Sequence, residues 1–391
     1  MNEFDITMKS RVIFSLGASG RVGVVAREFN AHRAMIVTDP GIQRAGLDTV
    51  LVESLKREHI EISVFTRVDP NPTTQNVNDG VAFAKEFSPD VIIALGGGSS
   101  LDAGKAINMI RTRGGKITDY RGMVTGGSKL PPLIAVPTTA GTGSEVSPFI
   151  LISDPVTHGK IVIRDIHMIP DVAILDPTLT TSMPRSITIS TGVDALVHGI
   201  EAFVAKGSQP LSQALALEAI QIIYTTLPNV IERPGDVDER GKMLIASNLA
   251  GMAFTLSYLG LAHSMANPLT RISGMAHGMA VGLMLPYVIL FNEPVAQKEY
   301  ARIANQIFGR QSPSDPKEAT LKMASSLKRF LASLDFPENL KRAGVPEDRL
   351  EEMAEEAIRQ ATVRSNPREA SLEEIAELYL QAYEGSEAFE S

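Results

Sequence analysis

The sequence predicts two kinds of fold in series, a parallel α/β half followed by an all-helical half. Three observations carry this expectation. Over the first ~180 residues, short apolar runs alternate with stretches of helical spacing, as a parallel sheet with crossover helices requires. After Met183-Pro184 the β-branched runs largely disappear and long helical patterns take over. In the first half, two clusters rich in glycine and hydroxyl side chains directly follow strand-like runs.

The first apolar run, Val12-Ile13-Phe14, leads into Gly17-Ala18-Ser19-Gly20-Arg21-Val22-Gly23. That set resembles a dinucleotide fingerprint, but its spacing is G-x-x-G-x-x-G rather than G-x-G-x-x-G. It reads as a turn into the first helix, with a supporting role near a cofactor. Ala34 to Thr38 is the next run, stopped by Asp39-Pro40-Gly41. Ile62 to Phe65, Val91 to Leu95 and Leu133 to Val136 follow, with Val77 to Phe87 an amphipathic helix among them. Residues 147–176 read as extra β segments, including Phe149 to Ile152 and Ala173 to Leu175. Pro170-Asp171 and Asp176-Pro177 supply turns just before the change of pattern. The chain thus divides into 1–183 and 184–391. In the second part, residues 187–206, 210–227, 239–256, 275–291, 316–335, 348–363 and 371–384 read as helices, and 385–391 as a frayed tail.

Composition narrows the function. The chain has 391 residues, 44% hydrophobic and 21% charged, an ordinary balance for a soluble protein of about two domains. A net charge of −8 with no Lys or Arg run argues against a nucleic-acid partner. The absence of cysteine excludes disulfides, thiolate metal sites and cysteine nucleophiles, so any metal must be held by His and carboxylates. Met1 to Ser10 has no apolar core and does not read as a secretory signal. No stretch reaches the roughly 18 apolar residues of a membrane span, so the expectation is a cytoplasmic enzyme with no membrane partner.

Gly96-Gly97-Gly98-Ser99-Ser100 follows a buried strand and precedes a helix opening Leu101-Asp102-Ala103-Gly104-Lys105. Glycines let backbone amides approach a phosphate, and a helix N-terminus adds free N–H donors and a positive dipole end. The alternative is a tight structural turn. Pro137-Thr138-Thr139-Ala140-Gly141-Thr142-Gly143-Ser144-Glu145 also follows a strand, and suits sugar and phosphate contacts or a plain polar loop. Asp39, at a strand end, can accept from ribose hydroxyls and repel a 2′-phosphate, or can cap a helix.

The helical half holds three of the seven histidines. Asp194-Ala195-Leu196-Val197-His198 places a carboxylate and an imidazole at i and i+4 on one helix face. His263 and His277 follow in a small-residue segment through Pro268 and Gly274. One Asp with three His suits Fe(II) or Zn(II). Such an ion would act as a Lewis acid on an alcohol or carbonyl oxygen, with nicotinamide taking the hydride.

Ala94 to Lys105, Pro137 to Pro148, Asp171 to Pro177, Gly192 to Ala205 and Gly260 to Asn292, in this order, resemble the iron-containing (group III) alcohol dehydrogenase family of the dehydroquinate synthase-like superfamily. The resemblance implies a Rossmann-like N-terminal domain, an all-α C-terminal domain, and NAD with Fe(II), or Zn(II), as cofactors. It implies metal ligation by Asp194, His198, His263 and His277. It implies pyrophosphate at Gly97, Gly98 and Ser99, with Asp102 a further cofactor-binding residue. Adenosine or ribose contacts fall around Asp39, Thr138, Thr139, Thr142 and Leu179, and Lys160 and Phe254 line the cofactor cleft. A homodimer is implied as well.

One position departs from the family. Many members carry a histidine four residues after the first His of the third motif, where this chain has Asn267. Asn does not exchange a proton near neutral pH, so its role would be hydrogen bonding or water positioning. Two related activities compete with a small-alcohol dehydrogenase. A dehydroquinate synthase-like lyase would need a denser basic cluster than Lys160, Arg164 and Arg271. A polyol (glycerol-type) dehydrogenase is closer. A non-catalytic nucleotide-binding protein is disfavoured because buried ligands without an ion are costly.

Overall fold

Val91-Ile92-Ile93-Ala94-Leu95 is apolar at every position, as a strand covered on both faces requires. In the computed structural model, which describes residues 4, 6–155, 159–385 and 389, this run is a central strand of a six-stranded parallel sheet. The chain runs β1 (Arg11–Phe14), α1 (Val22–Glu28), β2 (Arg33–Val37), α2 (Pro40–Arg44), α3 (Thr49–Arg57) and β3 (Glu61–Phe65). It continues through α4 (Thr74–Phe87), β4 (Val91–Gly96), α5 (Gly98–Arg113), β5 (Gly122–Met123), β6 (Leu133–Pro137), β7 (Phe149–Ser153), β8 (Lys160–Arg164) and β9 (Val172–Leu175). The sheet order is β1-β9-β6-β4-β2-β3, and β5, β8 and β7 make a second, smaller sheet. Alternate residues feed two cores: Met35, Val37, Ile92, Ala94, Leu133 and Ala135 pack on one face. Ala34, Ile36, Ile93, Ile134, Val136 and Ile174 pack on the other.

The rest is helical: α6 (Arg185–Val204), α7 (Pro210–Glu232), α8 (Val237–Ser257), α9 (Leu261–Ser273), α10 (His277–Phe308), α11 (Pro316–Ser333), α12 (Leu350–Ala357) and α13 (Leu372–Glu384). The predicted class, a parallel α/β part and an all-α part, is what the chain adopts. Contacts group the chain into two compact units. One is Thr7–Pro184 with Arg233–Gly251; the other is Met1–Ile6, Arg185–Glu232 and Met252–Ser391. The first turns of α8 join the α/β unit for a visible reason. A Cβ on Gly251 would lie 2.7 Å from the Gly143 Cα, and Asn248 Nδ2 donates to Glu145 Oε1 at 2.8 Å.

Three helical expectations differ from the structure. The segment 261–273, read as a small-residue stretch and absent from the predicted spans, forms α9, which carries Pro268 inside it and ends at Gly274 in left-handed geometry. The span 275–291 extends to Phe308 through Pro286 and Pro294, with a kink at Ala296. The span 348–363 stops at Ala357, and Ala361–Ser365 forms a separate 3₁₀ turn. There Thr362 bonds Ser264 and Ser365 bonds the Leu259 carbonyl, so tertiary hydrogen bonds replace helical ones.

The expected lack of any membrane-length apolar stretch also needs correcting. Arg185–Val204, Pro210–Glu232 and His277–Gln311 are long and apolar enough to cross a bilayer by length and composition. In the first and third, however, 83% and 72% of the apolar window is buried within the protein. A helix apolar on all sides belongs to a protein core as well as to a membrane. His158 and most of the tail 385–391 lie outside the described residues.

Candidate metal centre and nucleotide loops

Asp194 and His198 lie on one face of α6, His263 in the first turn of α9, and His277 at the first position of α10. Gly278 explains how α10 comes so close: a Cβ there would sit 1.8 Å from the Ser190 carbonyl oxygen, one turn before Asp194. Around Asp194 Oδ1, His198 Nε2 stands at 3.7 Å, His263 Nε2 at 3.6 Å and His277 Nε2 at 3.8 Å. The ligand atoms of Asp194, His263 and His277 all fall within 4.8 Å of one another. The His198 ring stacks on that of His263, with centroids 4.7 Å apart.

These separations are too long for hydrogen bonds. They suit donors sharing one cation, since two ligands at ~2.1 Å from an ion in tetrahedral array lie ~3.4 Å apart. Asp194 Oδ1 and His263 Nε2 are buried, and neither has a hydrogen-bond partner among the described residues. An unpaired carboxylate oxygen facing an unpaired imidazole nitrogen in a buried position is costly unless a proton or cation lies between them. The donor set therefore fits a divalent ion. Burial opposes the charged carboxylate, yet His198, His263 and His277 hold Asp194 well below its usual range, so it is an anionic donor. Burial likewise opposes a charged His263, but Glu201 and Asp194 outweigh it and push the imidazole up to about 9.

Glu201 is the residue that the sequence reading missed. It is buried on α6, and its Oε2 lies 2.6 Å from His263 Nδ1. The signal was available: Glu201 stands seven residues after Asp194 and three after His198, on the same helical face. Phe254, expected at the cofactor, packs its ring 4.8 Å from that of His198. Asn267 is half-buried on α9, one turn after His263, and its Nδ2 reaches Gln360 Oε1 at a long 3.4 Å.

In the α/β unit, β2, β4 and β6 are parallel neighbours, with Val37 opposite Ala94 and Gly96 opposite Pro137. This register brings Asp39, the glycine loop and the threonine loop to the same carboxyl end of the sheet, where ligands of such sheets bind. The two loops interlock. A Cβ on Gly98 would lie 2.7 Å from Thr142 Cγ2, and one on Gly97 3.3 Å from Thr139 Cγ2. Thr138 N–H donates to the Gly96 carbonyl at 3.0 Å. Gly97, the N-cap of α5, provides no side-chain cap to the helix amides, so this N-terminus is suited to an anion.

Asp39 is a helix cap: its Oδ1 accepts from Gly41 N–H at 2.8 Å and Ile42 N–H at 3.0 Å. Its Oδ2 accepts from Ser100 Oγ at 3.1 Å, which fixes the carboxylate beside the glycine loop. Ser99 Oγ accepts from Asn71 N–H at 3.2 Å, and Lys160 Nζ donates to Asn71 Oδ1 at 2.9 Å. Asp102 is committed inside the fold, where its Oδ1 accepts from Ser144 Oγ at 2.6 Å and its Oδ2 from Leu151 N–H at 2.8 Å. Beside it, burial draws Lys105 down to about 8. Leu179 is buried in the apolar core with Val172 and Ile174. The Gly17 set forms the expected turn, held by Asp176, whose oxygens accept from Gly17 N–H and Ser19 N–H at 3.0 Å each.

Two family profiles match the chain. "Iron-containing alcohol dehydrogenase" covers residues 9–177, and "Fe-containing alcohol dehydrogenase family, C-terminal" covers 188–383. The chain is 32% identical to an NAD-dependent methanol dehydrogenase of Bacillus methanolicus, covering 95% of this chain and 97% of that one. It is 34% identical to a 1,3-propanediol dehydrogenase of Klebsiella pneumoniae, covering 97% and 99%. The crystal structure of a 1,3-propanediol oxidoreductase superposes with a TM-score of 0.95 at 34% identity, covering 98% of this chain and all of that one.

Proposed function

Because the chain belongs to the iron-containing alcohol dehydrogenase family, we propose that it is a metal-dependent, NAD(H)-linked alcohol dehydrogenase interconverting a small alcohol and its aldehyde or ketone. The observation that carries this reading is the pair of buried atoms, Asp194 Oδ1 and His263 Nε2, 3.6 Å apart and without a hydrogen-bond partner among the described residues. We assign the ion to Asp194, His198, His263 and His277, with Fe(II) favoured and Zn(II) second. When bound, that ion supplies Lewis acidity at the reacting oxygen while nicotinamide accepts or returns the hydride.

The chain's own residues do the rest. The amides at Gly97, Gly98 and Ser99 meet the pyrophosphate, with Thr138, Thr139 and Thr142 at the sugars. Asp39 accepts from the adenosine ribose and disfavours a 2′-phosphate. Lys160 and Phe254 line the cofactor side, whereas Asp102 and Leu179 brace it from within. In the oxidative direction the alcohol loses a hydride to NAD⁺ and a proton to solvent. With Asn267 unable to carry that proton, it leaves through water or a ribose hydroxyl, and Asn267 orients the path. The working division is 1–183 for the cofactor and 184–391 for the metal. We further infer a cytoplasmic homodimer with no nucleic-acid or membrane partner, in keeping with the net charge of −8.

The 1,3-propanediol dehydrogenase relative keeps a polyol substrate as a second reading. Anaerobic reconstitution with Fe(II) or Zn(II), followed by an NADH-oxidation screen over aldehydes, ketones and hydroxyaldehydes, tests both. NADH oxidation with a simple small carbonyl supports the first reading, and a marked preference for hydroxylated carbonyls the second. Metal-loaded protein that oxidises NADH with none of them would overturn the assignment.

A further inference from the structure

His263 is gripped on both sides by one helix. Asp194 and Glu201 both lie on α6; Asp194 Oδ1 faces the imidazole at Nε2 from 3.6 Å, and Glu201 Oε2 holds Nδ1 at 2.6 Å. A carboxylate only accepts, so Nδ1 must carry the proton, and in the neutral ring the lone pair then sits on Nε2, toward Asp194. Glu201 also holds the backbone on which His263 rides. Its Oε2 accepts from Gly260 N–H at 2.9 Å and its Oε1 from Ala262 N–H at 2.6 Å. Asn366 Oδ1 takes the intervening Leu261 N–H at 3.2 Å. The N-cap of α9 is Gly260, which has no side chain to do this. A Cβ there would lie 3.0 Å from both Glu201 Oε1 and Asn366 Oδ1, so the close approach depends on its absence. Helix-terminal amides left unbonded in a buried site would otherwise be costly.

We propose that Glu201 is a positioning residue that presents His263 to the metal by fixing both the imidazole tautomer and the first turn of α9. The proposal rests on the metal reading above. A glutamine fits the same space but replaces one acceptor oxygen with an NH₂ donor. It therefore either opposes the Ala262 N–H or offers a donor to Nδ1 and favours the wrong tautomer. Asn366 serves as the internal control, because it caps the same turn without touching the imidazole.

The experiment is an anaerobic Fe(II) titration of the full chain against a chromogenic chelator, with metal-free melting curves of each variant. Co(II) loading adds a visible spectrum that reports ligand geometry. Glu201→Gln is expected to weaken Fe(II) binding by roughly 10–100-fold, the range for lost outer hydrogen-bond partners of metal ligands, and to change the Co(II) bands. Asn366→Ala should lower the metal-free melting temperature while changing Fe(II) affinity far less. If Glu201→Gln fails to fold, Glu201→Asp, which keeps the charge but shortens the reach, is expected to lose affinity in the same titration. Parent-like affinity in a folded Glu201 variant, or an equal loss in Asn366→Ala, would overturn the positioning role while leaving the metal reading intact. A parent chain that binds no divalent ion would overturn the metal reading and this proposal together.

Discussion

Replacing Asp39 with glycine removes the cap on α2 and the charge beside the glycine loop together. Loss of the cap should cost only about a few tenths of a kcal/mol of stability, because glycine is itself tolerated at an N-cap. Loss of the charge should narrow the preference for NAD over NADP, read as the ratio of kcat/KM for the two cofactors. An NADP preference in the parent would show that Asp39 does not face the adenosine ribose. Asn267 offers a second test at this scale. Asn267→His should add an ionisation near ~6.5 to the pH–rate profile, and Asn267→Ala should lower turnover. If neither changes kcat, KM or their pH dependence, the long contact to Gln360 Oε1 at 3.4 Å marks a structural residue.

At the scale of elements, two tight junctions carry predictions. A methyl on Gly98 would lie 2.7 Å from Thr142 Cγ2, so Gly98→Ala must displace the Thr142 side chain from the glycine loop. NADH affinity, followed by fluorescence, should fall while the metal content stays at parent level. Asp176 joins the first turn to the 3₁₀ segment Pro177–Thr180. Burial disfavours its charge, but hydrogen bonds from Ser19 and Thr178 outweigh that and lower its pKa. A depressed carboxylate stabilises the fold above its ordinary value and loses that contribution as the pH falls through the depressed one. Asp176→Asn should cost about 1–3 kcal/mol at neutral pH, and the gap to the parent should close on acidification below about pH 4. A gap independent of pH would mean that the charge contributes nothing. Much at this scale was legible in the sequence, because runs such as Ile92 to Leu95 are apolar throughout and end in glycine. The helix α9 was not among the predicted spans, since its small-residue stretch shows no local cap and its first turn is capped from afar by Glu201 and Asn366. Glu201 was hidden for a related reason: a glutamate beside an apolar run looks like a surface residue until α9 is placed against it.

For the whole molecule, the proposed metal ligands lie in the helical unit and the nucleotide loops in the α/β unit, so one can be damaged without the other. The four proposed ligands stood out in sequence because His is scarce, with seven in 391 residues, and because Asp194 precedes His198 by one helical turn. Metal binding to the folded state alone should raise the melting temperature with concentration, and chelation should reverse it. Metal dependence is decided by NADH-driven carbonyl reduction in three samples: metal-free parent, Fe(II)-loaded parent, and Fe(II)-treated His263→Ala, each with its NADH affinity measured. Turnover is expected in the loaded parent alone, with NADH binding retained in all three. Full turnover in the metal-free parent would contradict metal dependence.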